Sequence, residues 1–287
     1  MVKGRFEGWY FKHQSQATSL AVIPGRADGG AFIQVLTNHH SFNIPYPLSM
    51  FHRGDTLQVG GNKFSLSGIS LAIDCPELTL SGKIKYSHLT PILGDIMGPF
   101  RFFPMECRHR VFSMKHALSG RVALNGEMID FSDGVGYIES DSGRSFPSRY
   151  IWIQCNDVDT DSCLRTKPDF SVMVSVAKIP FYGLKFWGCI AIVWLNGREY
   201  RLATYNGVKI LCCQADCLDI KRGKYRLMIT VDRNEGQLLA APQSGVMKRP
   251  IRESLSCPAR FKFMEADCVL FDGKSDYASY EYSSPSE

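Results

Sequence analysis

The chain has 287 residues, 45% of them hydrophobic and 21% charged, with a formal net charge of +5. That supply of apolar side chains fits two ordinary domains or one large β domain and argues against long disorder. The basic residues are scattered, which excludes the basic stripe of a nucleic-acid surface. The longest apolar run, Phe186 to Leu195, falls well below the roughly 20 residues of a spanning helix.

Taken in chain order, the pattern is one of short strands. Glu7-Gly8-Trp9-Tyr10-Phe11, Ala21-Val22-Ile23-Pro24-Gly25 and Ala31-Phe32-Ile33-Gln34-Val35 open the chain. Leu57 and Val59 then face Phe64 and Leu66 across Gly60-Gly61. Leu78, Leu80, Ile84 and Tyr86 alternate with Thr79, Ser81, Lys83 and Lys85, as do Tyr225, Leu227, Ile229 and Val231 with Arg226, Met228 and Thr230. This period of two marks strands with one buried face. Asn125-Gly126, Asn196-Gly197 and Asn206-Gly207 read as two-residue hairpin turns, because Asn and Gly tolerate positive φ. No convincing helix of three turns emerges. Many antiparallel strands joined by tight turns must close or stack to hide their edges.

An internal echo follows. Arg149-Tyr150-Ile151-Trp152-Ile153, Val176-Ala177-Lys178-Ile179-Pro180 and Cys189-Ile190-Ala191-Ile192-Val193 repeat the order Trp, Ile-Pro, apolar strand of the first half, with an extra polar loop from Asp157 to Asp169. A duplicated β domain explains this. The expected division is residues 1–134 and 135–287.

Ten cysteines suggest disulfides by number alone. The chain is larger than a disulfide scaffold, and Cys189, Cys212 and Cys268 sit in apolar strand patterns, so reduced, buried cysteines are expected. Cys212, Cys213 and Cys217 lack the paired spacing of a zinc site. Met1-Val2-Lys3-Gly4 opens with neither an apolar signal region nor the glycine needed for myristoylation, and a cytoplasmic location is expected.

Several stretches resemble the tocopherol cyclase family. They are Arg5-Phe6-Glu7-Gly8-Trp9-Tyr10-Phe11-Lys12, Met105-Glu106-Cys107-Arg108-His109, Ser113-Met114-Lys115-His116 and Gly136-Tyr137-Ile138-Glu139, then Gly143 through Gln154 (GRSFPSRYIWIQ). Ile179-Pro180-Phe181, Ala203-Thr204-Tyr205 and Met247 through Ser254 (MKRPIRES) continue the resemblance in order. The resemblance implies an all-β fold of two tandem lipocalin-like (calycin-like) antiparallel β-barrels. It also implies a bacterial member and cyclisation of a prenylated hydroquinone or related isoprenoid. Ser142 stands where family members usually carry Trp, which bears on the substrate.

Such a ring closure needs an acid to protonate the alkene and a dry pocket to protect the cation. No cofactor or metal is expected, because the chain has no phosphate loop, G-x-S-x-G elbow or H-E-x-x-H motif. Glu139, in an apolar segment beside the most specific motif, is the first candidate acid. A structural pairing with Arg144 or Arg149 is its alternative. Asp141 reads as a turn residue. Glu106 is a second candidate acid and His109 a candidate base toward the phenol. A strand places residues three apart on opposite faces, which argues against a shared metal, and places His109 and His116 apart in the same way. Tyr10, Tyr137, Arg144, Phe146 and Trp152 are expected at the substrate, whereas Trp9 and Trp152, in matching positions of the echo, also fit barrel-floor plugs. Arg249 and Glu253, with Arg252 between them, read as a surface or interface pair. The expected partner is a hydrophobic small molecule, isoprenoid or lipid, with no nucleic acid, and uptake of such a molecule leaves room for a peripheral membrane contact. Two other readings remain: a non-catalytic binder or carrier of that molecule, and an interaction protein with a filled interior.

Overall fold

The computed structural model describes residues 4–16, 18–160, 168–181 and 183–284. Residues 1–3 of the expected N-terminus and 161–167 of the expected polar loop lie outside them. The first half forms β1 Phe6–Ser15, β2 Thr18–Ala27, β3 Gly30–Thr37, β4 Ser41–Tyr46, β5 Phe51–Arg53, β6 Leu57–Val59, β7 Asn62–Ser65, β8 Gly68–Cys75, β9 Leu78–Ser87, β10 Cys107–Leu124, β11 Glu127–Asp130 and β12 Val135–Gly143. The second half forms β13 Tyr150–Cys155, β14 Phe170–Phe181, β15 Leu184–Leu195, β16 Arg198–Ala203, β17 Lys209–Cys213, β18 Cys217–Arg222, β19 Tyr225–Val231, β20 Gln237–Gln243, β21 Val246–Glu265 and β22 Cys268–Ser283. Among the described residues the only helices are short 3-10 turns, at Leu48–Met50, Gly98–Phe102 and Thr204–Asn206.

The strands build two antiparallel sheets. One runs β4-β3-β2-β1-β12-β10-β9-β8-β7-β6-β5, with β11 on β10; the other runs β16-β15-β14-β13-β22-β21-β19-β18-β17, with β20 on β21. The orders match over nine strands, β4 to β7 against β16 to β17, and the first sheet continues with β6 and β5; each sheet seats its last long strand beside its first. The echo in the sequence is therefore a repeat of topology. The all-β architecture of two calycin-like units is the one expected. One difference is closure: the described pairings join neither β4 to β5 nor β16 to β17, so backbone hydrogen bonds do not seal either sheet into a ring.

The chain divides into two compact units. The first is Met1–Ile92, Cys107–Phe146 and Leu238–Pro250; the second is Leu93–Glu106, Pro147–Gln237 and Ile251–Glu287. The expected boundary at 134/135 moves. β12 pairs with both β1 and β10 and belongs to the first sheet, so the main crossing falls after Phe146. Residues 238–250 join the first unit through Gln34, whose side-chain amide exchanges hydrogen bonds of 2.8 and 3.0 Å with the Ala240 backbone.

Alternation explains the cores. In the first unit Phe11, Val22, Ile33, Val35, Phe64, Leu80, Ile84, Phe131 and Ile138 are buried together. In the second, Ile151, Ile153, Val172, Val174, Ala191, Val193, Leu227, Ile229, Phe261 and Phe263 do the same. Burying such side chains contributes roughly 1.5–3 kcal/mol each. Trp9 packs against the first core and rests on Phe51. Trp152 lies between core residues Ile151 and Ile153, so its side chain takes the other face. The two tryptophans are not equivalent plugs.

Asn125-Gly126 (φ 49° and 86°) and Asn196-Gly197 (φ 50° and 79°) are the positive-φ hairpin turns expected. Asn206-Gly207 is not. There Asn206 ends a 3-10 turn and its side-chain oxygen accepts from the Ala203 amide at 2.8 Å. The nine cysteines among the described residues are all unbridged. Cys189 is buried, but Cys212 is only partly so and Cys268 is exposed, at the start of β22 beside the turn from β21.

Candidate functional site

β12 sits between β1 and β10 in the middle of the first sheet. Its alternation sends Ile138 into the core and Tyr137, Glu139 and Asp141 to the opposite face. Pairing on both sides sets what meets them. On β1, Lys12 is the partner of Tyr137, Tyr10 of Glu139 and Gly8 of Asp141. On β10, Val111 is the partner of Glu139 and His109 of Asp141. His109 thus lies directly across from one carboxylate and diagonally from the other, both within reach of an antiparallel pair.

The contacts follow this register. His109 Nδ1 and Asp141 Oδ1 are hydrogen bonded at 3.0 Å, and His109 Nε2 stands 3.2 Å from Glu139 Oε2. The Tyr137 hydroxyl donates to the same Glu139 oxygen at 2.5 Å. Cys107 Sγ donates to Asp141 Oδ1 at 3.5 Å. Glu139 is 4% exposed and His109 8%, so these polar groups meet each other largely shielded from solvent. Hydrogen bonds link Tyr137 to Glu139 and His109 to Asp141, and the 3.2 Å ion-pair contact between His109 and Glu139 joins the two pairs into one line.

Burial by itself disfavours a charged His109. The charges of Glu139 and Asp141 and the hydrogen bonds they offer outweigh it, and hold the imidazole well above its usual range. The protonated form of His109 is thus favoured by the two carboxyl groups that flank it. Burial, then the neighbouring Glu139 charge, pushes the Tyr137 phenol well above its ordinary value, so Tyr137 stays protonated and donates. Lys12, 1% exposed, lies on the same face, across from Tyr137.

Of the residues singled out from sequence, Glu139, His109, Tyr137 and Tyr10 come together; the rings of Tyr10 and Tyr137 meet edge-on at 6.5 Å. Neither Arg144 nor Arg149 partners Glu139, whose contacts are Tyr137 and His109. Arg144 is exposed. Phe146 packs edge-on against Phe6 at 5.6 Å, within a small cluster that includes Phe32 and Met247. Glu106 precedes β10, is partly buried and belongs to the second unit; it is not one of the three side chains whose donor atoms gather within 4.8 Å. Glu7, by contrast, is held by Arg26 and Arg53 at 2.5 and 2.6 Å.

Asp141 is the residue that sequence reasoning misplaced. Ser140, Ser142 and Gly143 around it look like a turn, yet β12 runs through to Gly143. The alternation Tyr137-Glu139-Asp141 was the available signal. His109 and His116 do separate as their spacing implied. His116 reaches Tyr86, with ring centroids 4.5 Å apart, on the core side, even though two bulges interrupt β10 between them.

The second unit repeats part of this arrangement. Glu281 on β22 is the partner of Trp152 on β13 and of Glu253 on β21, as Glu139 is the partner of Tyr10 and Val111. Tyr150 donates a hydrogen bond to Glu281. Glu253, read from sequence as half of a surface or interface pair, is 3% exposed and stands across from Glu281.

Could the first cluster hold a metal? His109, Glu139 and Asp141 supply three donor atoms within 4.8 Å. The two carboxylates engage opposite nitrogens of one ring, and a protonated imidazole has no lone pair to offer. A metal ion here would have to displace the proton of His109.

Residues 95–282 match the family model described as tocopherol cyclase-like. No curated protein matches the chain. Among solved structures, a candidate AttH from Nitrosomonas europaea is 12% identical with a TM-score of 0.56, covering 96% of this chain and 92% of that one. CghA is 8% identical with a TM-score of 0.62, covering 98% and 88%. CghA solved with Sch210972 gives 8%, 0.61, 98% and 89%. At these identities the likeness establishes the fold alone.

Proposed function

The chain belongs to the tocopherol cyclase-like family, and on that premise we propose that it is a cofactor-independent cyclase acting on a prenylated hydroquinone or related isoprenoid. The observation that carries this reading is the buried line Tyr137–Glu139–His109–Asp141. His109, held as imidazolium, passes its proton to Glu139 Oε2, and Glu139 delivers it to one carbon of the substrate alkene. The other carbon becomes a tertiary cation, which the phenol oxygen captures as the phenol proton passes to the Glu139 carboxylate, so the product is an isomer of the substrate. From Glu139 the proton returns to His109, which is again an imidazolium. In this reading it is the proton store, not the base that the sequence suggested. Tyr137 fixes the carboxylate, and its ring with that of Tyr10 offers a π face to the cation.

A carboxyl group sharing a proton with a neighbouring imidazolium in a shielded site suits general acid chemistry. Had Glu139 been locked to an arginine, the binder reading would gain, because a guanidinium cannot give its proton to the carboxylate as an imidazolium can. That CghA was solved with Sch210972 supports ligand binding by this fold. The test is incubation of the purified chain with a panel of prenylated hydroquinones and polyenes in deuterated water. The expected product has one non-exchangeable deuterium, read by mass spectrometry after back-exchange. Retention of a panel member without product would replace catalysis with binding.

A further inference from the structure

The second unit carries an exposed aromatic patch that the chemistry above does not use. It is built from two segments, the 3-10 turn Gly98–Phe102 with the residues after it, and the β14–β15 hairpin end. Phe100 meets Phe181 at 6.2 Å and Phe186 at 6.1 Å, and Phe103 meets Phe181 at 5.6 Å. Beside this base Phe102 is 75% exposed and Leu184 76%, while Trp187, on the other face of the hairpin, is 40% exposed. Large apolar side chains gathered in such a patch mark an interaction site more often than chance exposure does.

The patch is held firmly. Arg201 donates to the carbonyls of Leu93 at 2.6 Å and Asp95 at 2.9 Å, and the Tyr205 hydroxyl donates to the Ile96 carbonyl at 2.9 Å. Gly98, at φ +53°, lies against the Tyr205 ring, where a Cβ would come within 2.7 Å. The segment is thus stapled in place with its phenylalanines outward.

The charges along its two segments are mostly positive. Residues 98–106 and 178–188 contain Arg101, Lys178 and Lys185 and a single acid, Glu106. Arg101 lies over the Phe102 ring at 4.6 Å, and Lys178 over the ring of its cross-strand partner Trp187 at 5.4 Å. Aromatic and aliphatic tips beside cations on long stems match the boundary between lipid headgroups and acyl chains. We propose that this patch docks the protein on an anionic membrane surface, with Phe102 and Leu184 entering the lipid and Arg101, Lys178 and Lys185 at the headgroups. The docking does not depend on the cyclase reading.

The test is co-sedimentation of the full chain with phosphatidylcholine vesicles, with and without phosphatidylserine. Binding to the mixed vesicles is expected, with weaker binding to phosphatidylcholine alone and further weakening by salt. Arg101→Gln with Lys185→Gln should lower affinity by about tenfold or more, and Phe102→Asp with Leu184→Asp should abolish it. Both variants alter exposed positions, and unchanged melting curves would verify the fold. Failure of the wild type to bind mixed vesicles, or equal binding by the variants, overturns the proposal. So does self-association in sedimentation velocity that the Phe102→Asp, Leu184→Asp variant removes, which would make the patch an interface between copies.

Discussion

Tyr137 donates to Oε2 of Glu139 over 2.5 Å from two positions earlier on the same face of β12, and that oxygen also lies 3.2 Å from His109 Nε2. One carboxylate oxygen is thus shared by a phenol and an imidazole. Tyr137→Phe removes the first partner and keeps the second. A hydrogen bond to a charged group contributes about 1.5–3 kcal/mol, so turnover should fall about 10- to 100-fold while the fold persists. Steady-state kinetics with a melting curve checks this; unchanged turnover would reduce Tyr137 to a packing role.

His109 should be an imidazolium at neutral pH and titrate well above the ordinary histidine value, because Glu139 and Asp141 outweigh its burial. A raised folded pKa contributes stability that is fully present below the unfolded value near 6.5 and is lost as pH rises through the folded one. Asp141→Asn should move the titration down toward the ordinary value. Nitrogen-detected NMR of the imidazole ring reads both; a wild-type ring already neutral at pH 7 would contradict the charge arrangement.

His13 and His116 should act in the opposite direction. Burial is the main cause that lowers His13 to about 4 and His116 to about 3, with a backbone hydrogen bond opposing it in His13 and the His13 charge adding to it in His116. Their neutral forms stabilise the fold above pH 6.5, and that stability drains as pH falls from 6.5 toward those values. Each contributes a slope of about 1.4 kcal/mol per pH unit in that window. Urea unfolding across the window should show it, and His116→Asn should make the slope shallower. A pH-independent midpoint between neutral and mildly acidic conditions would refute the assignment.

Arg201→Ala should loosen residues 93–106 within the second unit. It loses the bonds to the Leu93 and Asp95 carbonyls and leaves Glu199 without its 2.7 Å ion pair. Several such bonds at about 1 kcal/mol each make a clear destabilisation. Trypsin cleavage after the exposed Arg101 should accelerate relative to wild type, a change that limited proteolysis detects.

What could be read from the sequence was local. Alternation at Leu78–Tyr86 and Tyr225–Val231 located β9 and β19, and the Trp, Ile-Pro, apolar-strand echo located β1 to β3 against β13 to β15. Pairing between distant strands left no local mark. β12 is claimed by the first sheet because β1 and β10 flank it, so the boundary placed before Val135 fell too early. That same flanking keeps Asp141 in a strand despite its turn-like neighbours. Nothing in the segment around Glu253 shows that Glu281 will stand across from it, so its burial was invisible too. Glu139 and His109 were found because their types suited the chemistry; their shared contact depends on register that only the folded sheet supplies.

The most direct measurement is turnover of the prenylated panel by wild type and Glu139→Gln side by side, with ring closure followed by mass spectrometry and chiral chromatography. The amide keeps the shape and can still face Tyr137 and His109, but it cannot deliver a proton. The account predicts cyclised product from the wild type and a loss of about 10²–10⁴-fold in the variant, with substrate still retained. Equal product from both proteins would contradict Glu139 as the acid and, with it, the central claim.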